Sequence, residues 1–282
     1  MQIDLLAFRS LGKGAFWIGI WSDINEYDFW GMAAQVSYYF LLAFFPFLLF
    51  LSALIGFIPV DPNLWGKFLG ELNAFLPQST YENVVTEIVL PLARSQNTGI
   101  LSVGLFLTLL IASLAFSGTI RPLSRVFGVE DSRSYLQKFF LSVGVTILVS
   151  LFIILSAFLL VWGDWLITLM VESAPIRALY TAIRWILLFV LLNIGIHTVY
   201  YALPQPQVYW RIFSPGSVVA TLGWIFGSLG FRLYVNSFGM YQMFYGSLGA
   251  VIVLIVWFYL SSLALLVGGR IDSRIYGLQK QA

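Results

Sequence analysis

The chain has 282 residues, of which 60% are hydrophobic and only 10% charged, and its formal net charge is +2. Soluble domains carry roughly 25% charged residues, so this composition, with a mean hydropathy of +0.88, excludes an ordinary soluble fold and points to the bilayer. The absence of cysteine rules out disulfides and thiolate metal sites, and so small a net charge, with its basic residues scattered, gives no nucleic-acid footprint.

Residues 1–28 carry Leu5, Leu6, Phe8, Leu11, Phe16, Trp17, Ile20, Trp21 and Ile24, interrupted by Arg9, Lys13 and Asp23. A signal peptide needs a compact apolar core and a small-residue cleavage site, and this segment has neither. The pattern predicts an amphipathic helix lying in the membrane interface with its tryptophans at headgroup level. A disordered tail is the alternative.

A first span is predicted over 30–58. Pro46 lies inside it, and its ring opposes the carbonyl of Leu42, so a kink is expected there. Pro59 and Pro62 close this span. In the following extramembrane segment, helical spacing over 63–76 and a capping box at Ser79-Thr-Tyr-Glu82 predict two short external helices. Further spans are expected at 98–117, 139–162, 182–203, 212–235 and 245–267, each near the roughly 20 apolar residues that a crossing needs. The fifth opens on Pro215, a residue tolerated in a first helical turn. Behind it Ala220, Gly223, Gly227 and Gly230 share one face, which predicts close packing against a neighbouring helix. Gly246 and Gly249, at the entry to the sixth span, are candidates for the same role. The expected fold is an all-α polytopic membrane protein: an interfacial helix over 1–28, a six-helix transmembrane domain over 29–270, and a polar tail over 271–282.

Six spans place both termini on one side. Arg9, Lys13, Arg121, Arg125, Arg133, Lys138, Arg211, Arg270, Arg274 and Lys280 fall there, against Lys67, Arg94, Arg177 and Arg184 opposite. The positive-inside rule then puts both termini in the cytoplasm.

Polar residues inside spans are costly and commonly functional. Gln35 and Tyr39 in span one are four apart; Asn193, His197 and Tyr201 recur every four residues in span four; Ser261 and Ser262 stand in span six. All but Tyr201 lie roughly 8–15 Å from the cytoplasmic ends of their helices at 1.5 Å per residue. They are expected to line an inward-facing wet cavity for a polar or ionic substrate, with His197 as a titratable member. The alternative is that Asn193 and His197 only cross-link helices in a dry core. Arg232, about 27 Å along span five, and Asn236 are candidates for an external mouth, snorkelling to the headgroups being the alternative for the arginine. Tandem tyrosines followed by proline recur at Tyr38-Tyr39 with Pro46 and at Tyr200-Tyr201 with Pro204. That pattern is compatible with an inverted repeat and equally with ordinary interfacial tyrosines.

No catalytic constellation is visible. The single histidine lies within a span; Asp61, Glu71, Glu82 and Glu87 show no metal-ligand spacing; phosphate-loop, GxSxG and HExxH motifs are absent. The expectation is therefore no enzyme, no cofactor and no metal. Two classes remain: a transporter or exporter of a small polar solute, ion or lipid component, and a structural or assembly protein of the envelope. The expected partners are the lipid bilayer and a small polar solute or ion, with no nucleic acid; a homo-oligomer is among the arrangements allowed.

Ala33-Ala-Gln-Val-Ser-Tyr-Tyr-Phe-Leu-Leu42 with Phe45-Pro46, Tyr200-Tyr-Ala-Leu-Pro204, Trp210-Arg211, Pro215-Gly216 and Tyr245-Gly-Ser-Leu-Gly249 together resemble the YihY/BrkB family of bacterial inner-membrane proteins, long labelled ribonuclease BN. The resemblance covers about 28–270 and implies a six-helix fold in the inner membrane. Relatives usually end span six with a small residue and a glutamate, whereas here Gly268-Gly269 is followed by Arg270. A role for that glutamate does not carry over.

Overall fold

The structure, a computed structural model, describes residues 8–57, 98–170, 173–204, 213–237 and 247–278. Among these, every regular element is helical, and seven α-helices follow a 3₁₀ turn at Ser10–Gly12: α1 (Gly14–Glu26), α2 (Phe29–Phe57), α3 (Thr98–Phe127), α4 (Tyr135–Met170), α5 (Ala174–Ala202), α6 (Pro215–Ser237) and α7 (Ser247–Leu278). The expected external helices at 63–76 and after Ser79, with Pro59 and Pro62, lie outside the described residues.

Four helical segments are long and apolar enough to cross a membrane: Tyr135–Ser156, Pro175–Ala202, Pro215–Val235 and Val251–Gly277; Phe29–Phe44 is apolar but shorter. The protein is an all-α polytopic membrane protein. Its helices overrun the apolar segments that mark them in sequence. α3 continues past 117 to Phe127, and α7 continues past 267 to Leu278. Hydropathy registers where lipid ends, whereas a helix ends only where its backbone is capped or broken.

Local chemistry accounts for the ends. Asp28 takes the left-handed conformation (φ 52°) in the two-residue turn after α1, and its Oδ1 accepts from the Gly31 amide at 3.1 Å, capping α2. α2 is helical on both sides of Pro46. α3 ends at Gly128 (φ 67°), whose amide donates to the Arg125 carbonyl while the Val129 amide donates to that of Ser124. This is the paired bonding of a Schellman motif, in which a residue with a Cβ would be strained. Ser134 and Gln137 form a reciprocal capping box at the start of α4, with contacts of 2.9 and 3.4 Å.

The main apolar core lies at the end of the bundle that carries α1. Phe29 and Ala33 of α2, Leu123 and Val126 of α3, and Leu266 and Ile271 of α7 are fully buried there, with Phe16 and Ile20 of α1 docked on them. Burial of such side chains is worth about 1.5–3 kcal/mol each relative to water. α1 is thereby a part of the bundle on one face, while Trp17, Ile18 and Trp21 on the other stay exposed.

Candidate functional site

α6 starts with Ser214-Pro-Gly-Ser217. The first amides of any helix have no intrahelical acceptor, and here the acceptor comes from another helix. Asp272 of α7, 2% exposed, accepts from the Ser214 hydroxyl at 2.5 Å and from the Gly216 amide at 2.6 Å. A carboxylate at the positive end of the α6 dipole is well placed electrostatically. Ser214 and Ser217 also cap each other: the Ser217 amide donates to Ser214 Oγ at 3.1 Å and the Ser214 amide to Ser217 Oγ at 3.2 Å.

From Ser217 the polar contacts continue into α5. Ser217 Oγ lies 3.3 Å from Asn193 Oδ1 and 3.0 Å from the Ser214 carbonyl, so its single proton serves one of them at a time. Asn193 Nδ2 donates to Thr221 Oγ1 at 3.3 Å, and Thr221 Oγ1 donates to the Ser217 carbonyl at 2.8 Å. Asn193, Ser214, Ser217 and Thr221 are fully buried. The result is a column, Asp272–Ser214–Ser217–Asn193–Thr221, that joins α7, α6 and α5. His197 is buried one turn from Asn193, and the Tyr200 hydroxyl donates to the Leu265 carbonyl at 2.5 Å.

A second polar centre sits on the other face of the last turns of α7. Asp23 of α1 accepts from Arg270 Nε at 2.8 Å and from Arg274 Nε and Nη2 at 2.6 and 2.9 Å. Arg270 also donates to the Val126 carbonyl at 3.0 Å and stands 4.4 Å from the Tyr27 ring centre. Burial works to raise the Asp23 carboxyl, but the hydrogen bonds and charges of Arg274 and Arg270 outweigh it and hold the pKa below the ordinary carboxylate value. In the α3–α4 connection, burial likewise opposes ionisation of Asp131, and Arg133 with Lys138 lowers its pKa overall. Arg133 reaches from there to the carbonyls of Ala202 and Leu203 at the end of α5.

The residues singled out in the sequence separate. Asn193 and His197 are buried together, but Tyr201, eight residues after Asn193, is 42% exposed. Eight residues turn a helix through 800°, so Tyr201 has drifted about 80° from Asn193. Gln35 is exposed on α2. Tyr39 instead packs its ring over Gly118 of α3, where a Cβ would overlap it. Ser261 and Ser262 donate to the carbonyls of Trp257 and Phe258 on their own helix, each at 2.8 Å. Arg232 is exposed on α6; the side chain of Asn236 and the whole of Gly246 lie outside the described residues.

The glycine face of α6 needs correction. A Cβ on Gly223 would make only ordinary contact with Ala264 at 3.6 Å, and Gly227 and Gly230 face open space. Ala220 of that face is buried where Gly268 of α7 comes closest, and the rest of the buried stripe of α6 runs through Ser217, Thr221, Ser228 and Phe231. Close approach occurs at Gly216 and Gly268, one turn or more nearer the α1 end. Gly249 is buried on α7. Sequence reasoning missed Asp272, Ser214, Ser217 and Thr221. The signal available was the Ser-Pro-Gly-Ser start of α6, which spells a cap in need of an acceptor. Among the described residues no three of His, Cys, Asp and Glu stand together as a metal donor set.

Comparison with known proteins adds the family context. The family model described as virulence factor BrkB matches residues 20–280. The chain is 32% identical to the ribonuclease-like protein YfkH of Bacillus subtilis, over 88% of this chain and 90% of that protein. It is 26% identical to a UPF0761 membrane protein of Psychromonas ingrahamii, over 93% of this chain and 88% of that one. A UPF0761 membrane protein of Tolumonas auensis is 23% identical over 96% and 87%. No solved structure matches.

Proposed function

For a chain that belongs to the virulence factor BrkB family, and is an integral membrane protein, we propose transport or export of a small polar solute, ion or lipid component by way of the polar column at the α1 end of the bundle. The observation that carries this reading is Asp272, a buried carboxylate joined through Ser214 and Ser217 to Asn193, with His197 one turn away. Polar and ionisable groups inside a membrane bundle are expensive and commonly mark solute or ion pathways. The protein lies in the bacterial inner membrane with both termini in the cytoplasm, a reading supported by the ten basic residues on that side against four opposite. The column then lies at the cytoplasmic end of the bundle. Arg232, which is exposed, and Asn236 lie toward the opposite end of α6 and serve an external mouth.

The chain is not a nuclease in this reading. The ribonuclease-like name belongs to the Bacillus subtilis relative, and phosphodiester hydrolysis needs a metal cluster or an acid–base pair with access to water. The single histidine here is buried among helices. A second reading, a structural protein of the envelope without transport, is favoured by one observation: the members of the column bond chiefly to each other.

Because the chain has no cysteine, single cysteines placed at Ser217 and Thr221 report directly on water access. In everted membrane vesicles, a membrane-impermeant charged thiol reagent should label both, and labelling should fall when the column is blocked by prior reaction. Two unreactive cysteines in folded protein would leave a dry structural core and overturn the transport reading.

A further inference from the structure

α1 is separated from the apolar helix α2 by a turn of two residues, Tyr27 and Asp28. It therefore cannot leave the membrane surface. Its roll about its own axis is also fixed: Phe16, Ile20, Asp23 and Ile24 are buried against the bundle, and Asp23 is held by Arg270 and Arg274 at 2.8 and 2.6 Å. That docking turns Trp17, Ile18 and Trp21 outward, the latter two being 72% and 62% exposed. Three large apolar side chains kept outward by a buried ion pair are not an accident of loose packing. The indole N–H of Trp17 donates at 2.7 Å to the Leu11 carbonyl, so that ring carries no unmet donor into an apolar phase. Exposed Arg9 and Lys13 precede the helix, and Lys13 is one turn before Trp17.

We propose that α1 is an anionic-phospholipid binding element: Trp17, Ile18 and Trp21 enter the adjacent leaflet, and Arg9 and Lys13 bind the phosphates of anionic headgroups. Charge complementarity selects this occupant: exposed Glu26 and Asp28 stand at the far end of α1, about 20 Å from Lys13 at 1.5 Å per residue, so Arg9 and Lys13 form a cationic end that an anionic leaflet neutralises. Apolar insertion and basic flanks are the two components that together hold an interfacial helix. The ion pair at Asp23 makes the binding element part of the bundle, so lipid bound at α1 bears on the end of α7 that also carries Asp272.

The test uses Ile18→Cys labelled with an environment-sensitive nitrobenzoxadiazole fluorophore, in full-length protein reconstituted in nanodiscs. A nanodisc has no inside, so the result does not depend on orientation, and no transport is measured. Phosphatidylcholine discs are compared with discs containing phosphatidylglycerol, and lipids brominated along the acyl chain serve as quenchers. The expected result is a blue-shifted probe quenched by brominated lipid when phosphatidylglycerol is present. In detergent titrations with phosphatidylglycerol, Arg9→Gln and Lys13→Gln should each weaken binding roughly fivefold, about 1 kcal/mol per cation. An aqueous probe in both lipids, insertion indifferent to lipid charge, or protection that instead rises with protein concentration in detergent (a second copy on this face) would each overturn the proposal.

Discussion

Gly216 of α6 and Gly268 of α7 meet backbone to backbone: a Cβ on either would collide with the other's carbonyl oxygen. A Cβ on Gly268 would also come within 2.5 Å of the Tyr200 hydroxyl and 2.6 Å of Ala220 Cβ. The contact sits one turn from Asp272, so it sets the separation at which that carboxylate reaches the α6 cap.

Alanine at either position should therefore push the helices apart. Gly268→Ala is expected to cost about 1–3 kcal/mol as an overpacking substitution, read as a lowered thermal midpoint in detergent. Gly227→Ala and Gly230→Ala, which have open space around them, should be neutral or stabilising by up to about 1 kcal/mol through helix propensity. Equal effects at all four positions would contradict this assignment of the packing face.

Asp272→Ala removes the acceptor for both Ser214 and Gly216 and leaves a buried helix start without a partner. The expected loss is about 1.5–3 kcal/mol, the range for hydrogen bonds to a charged group. Asp272→Asn should cost less, near 1 kcal/mol. Its amide oxygen still accepts from Gly216 while its nitrogen donates to Ser214, and only the charge at the α6 dipole is lost. Thermal denaturation of both variants gives the order; Asn as damaging as Ala would show that charge, not hydrogen bonding, dominates.

The lowered pKa of Asp23 makes docking of α1 acid-sensitive. Because the folded-state value lies below the ordinary carboxylate value, the stabilisation is complete above about pH 4 and is lost as pH falls through the folded pKa. Asp23→Asn should cost about 2 kcal/mol at pH 7, less than a fully buried pair because Arg274 is partly open to solvent. Midpoints of wild type and variant should converge once the pH has fallen through the folded-state pKa of Asp23. A gap that persists there would place the effect in packing rather than in the ion pair.

Arg133 closes the end of α5 by reaching the carbonyls of Ala202 and Leu203 while anchored on Asp131. Arg133→Ala should loosen that end, with a loss of about 1–3 kcal/mol and faster hydrogen exchange over the last turn of α5. Arg133→Lys should restore less than half of the protection, since an ammonium lacks the planar fork that serves three acceptors at once. Full rescue by lysine would reduce the role of Arg133 to charge alone.

The family, the helical class and the apolar segments could be read from sequence because lipid imposes a composition over some 20 residues at a time. Helix ends could not, because apolar runs stop at the lipid boundary while α3 and α7 do not. That is why Asp272 and Arg274, read as part of a polar tail, are with Arg270 three rungs of a helix with two opposed working faces. Asn193 and His197 were found by being polar in a span. Tyr201 and Gln35 met the same criterion, but a spacing of four residues tracks one face only over a turn or two, so their exposure could not be foreseen. The small-residue stripe meets α7 only at Ala220 and Gly223, because the helices diverge beyond them and Gly227 and Gly230 have no described neighbour within 4 Å.

Asp23 and its partners Arg270 and Arg274 are 247 and 251 residues apart along the chain. At about 5–20 residues per second, a ribosome needs on the order of 10–50 s to reach Arg270 after making Asp23. Throughout that interval α1 has emerged without the arginines that later hold it. α1 is thus made long before it can be seated, and its docking is an internal sign that α7 has arrived. A chain stopped before Arg270 would keep Asp23 without either cation and leave Phe16 and Ile20 on a platform that lacks Ile271.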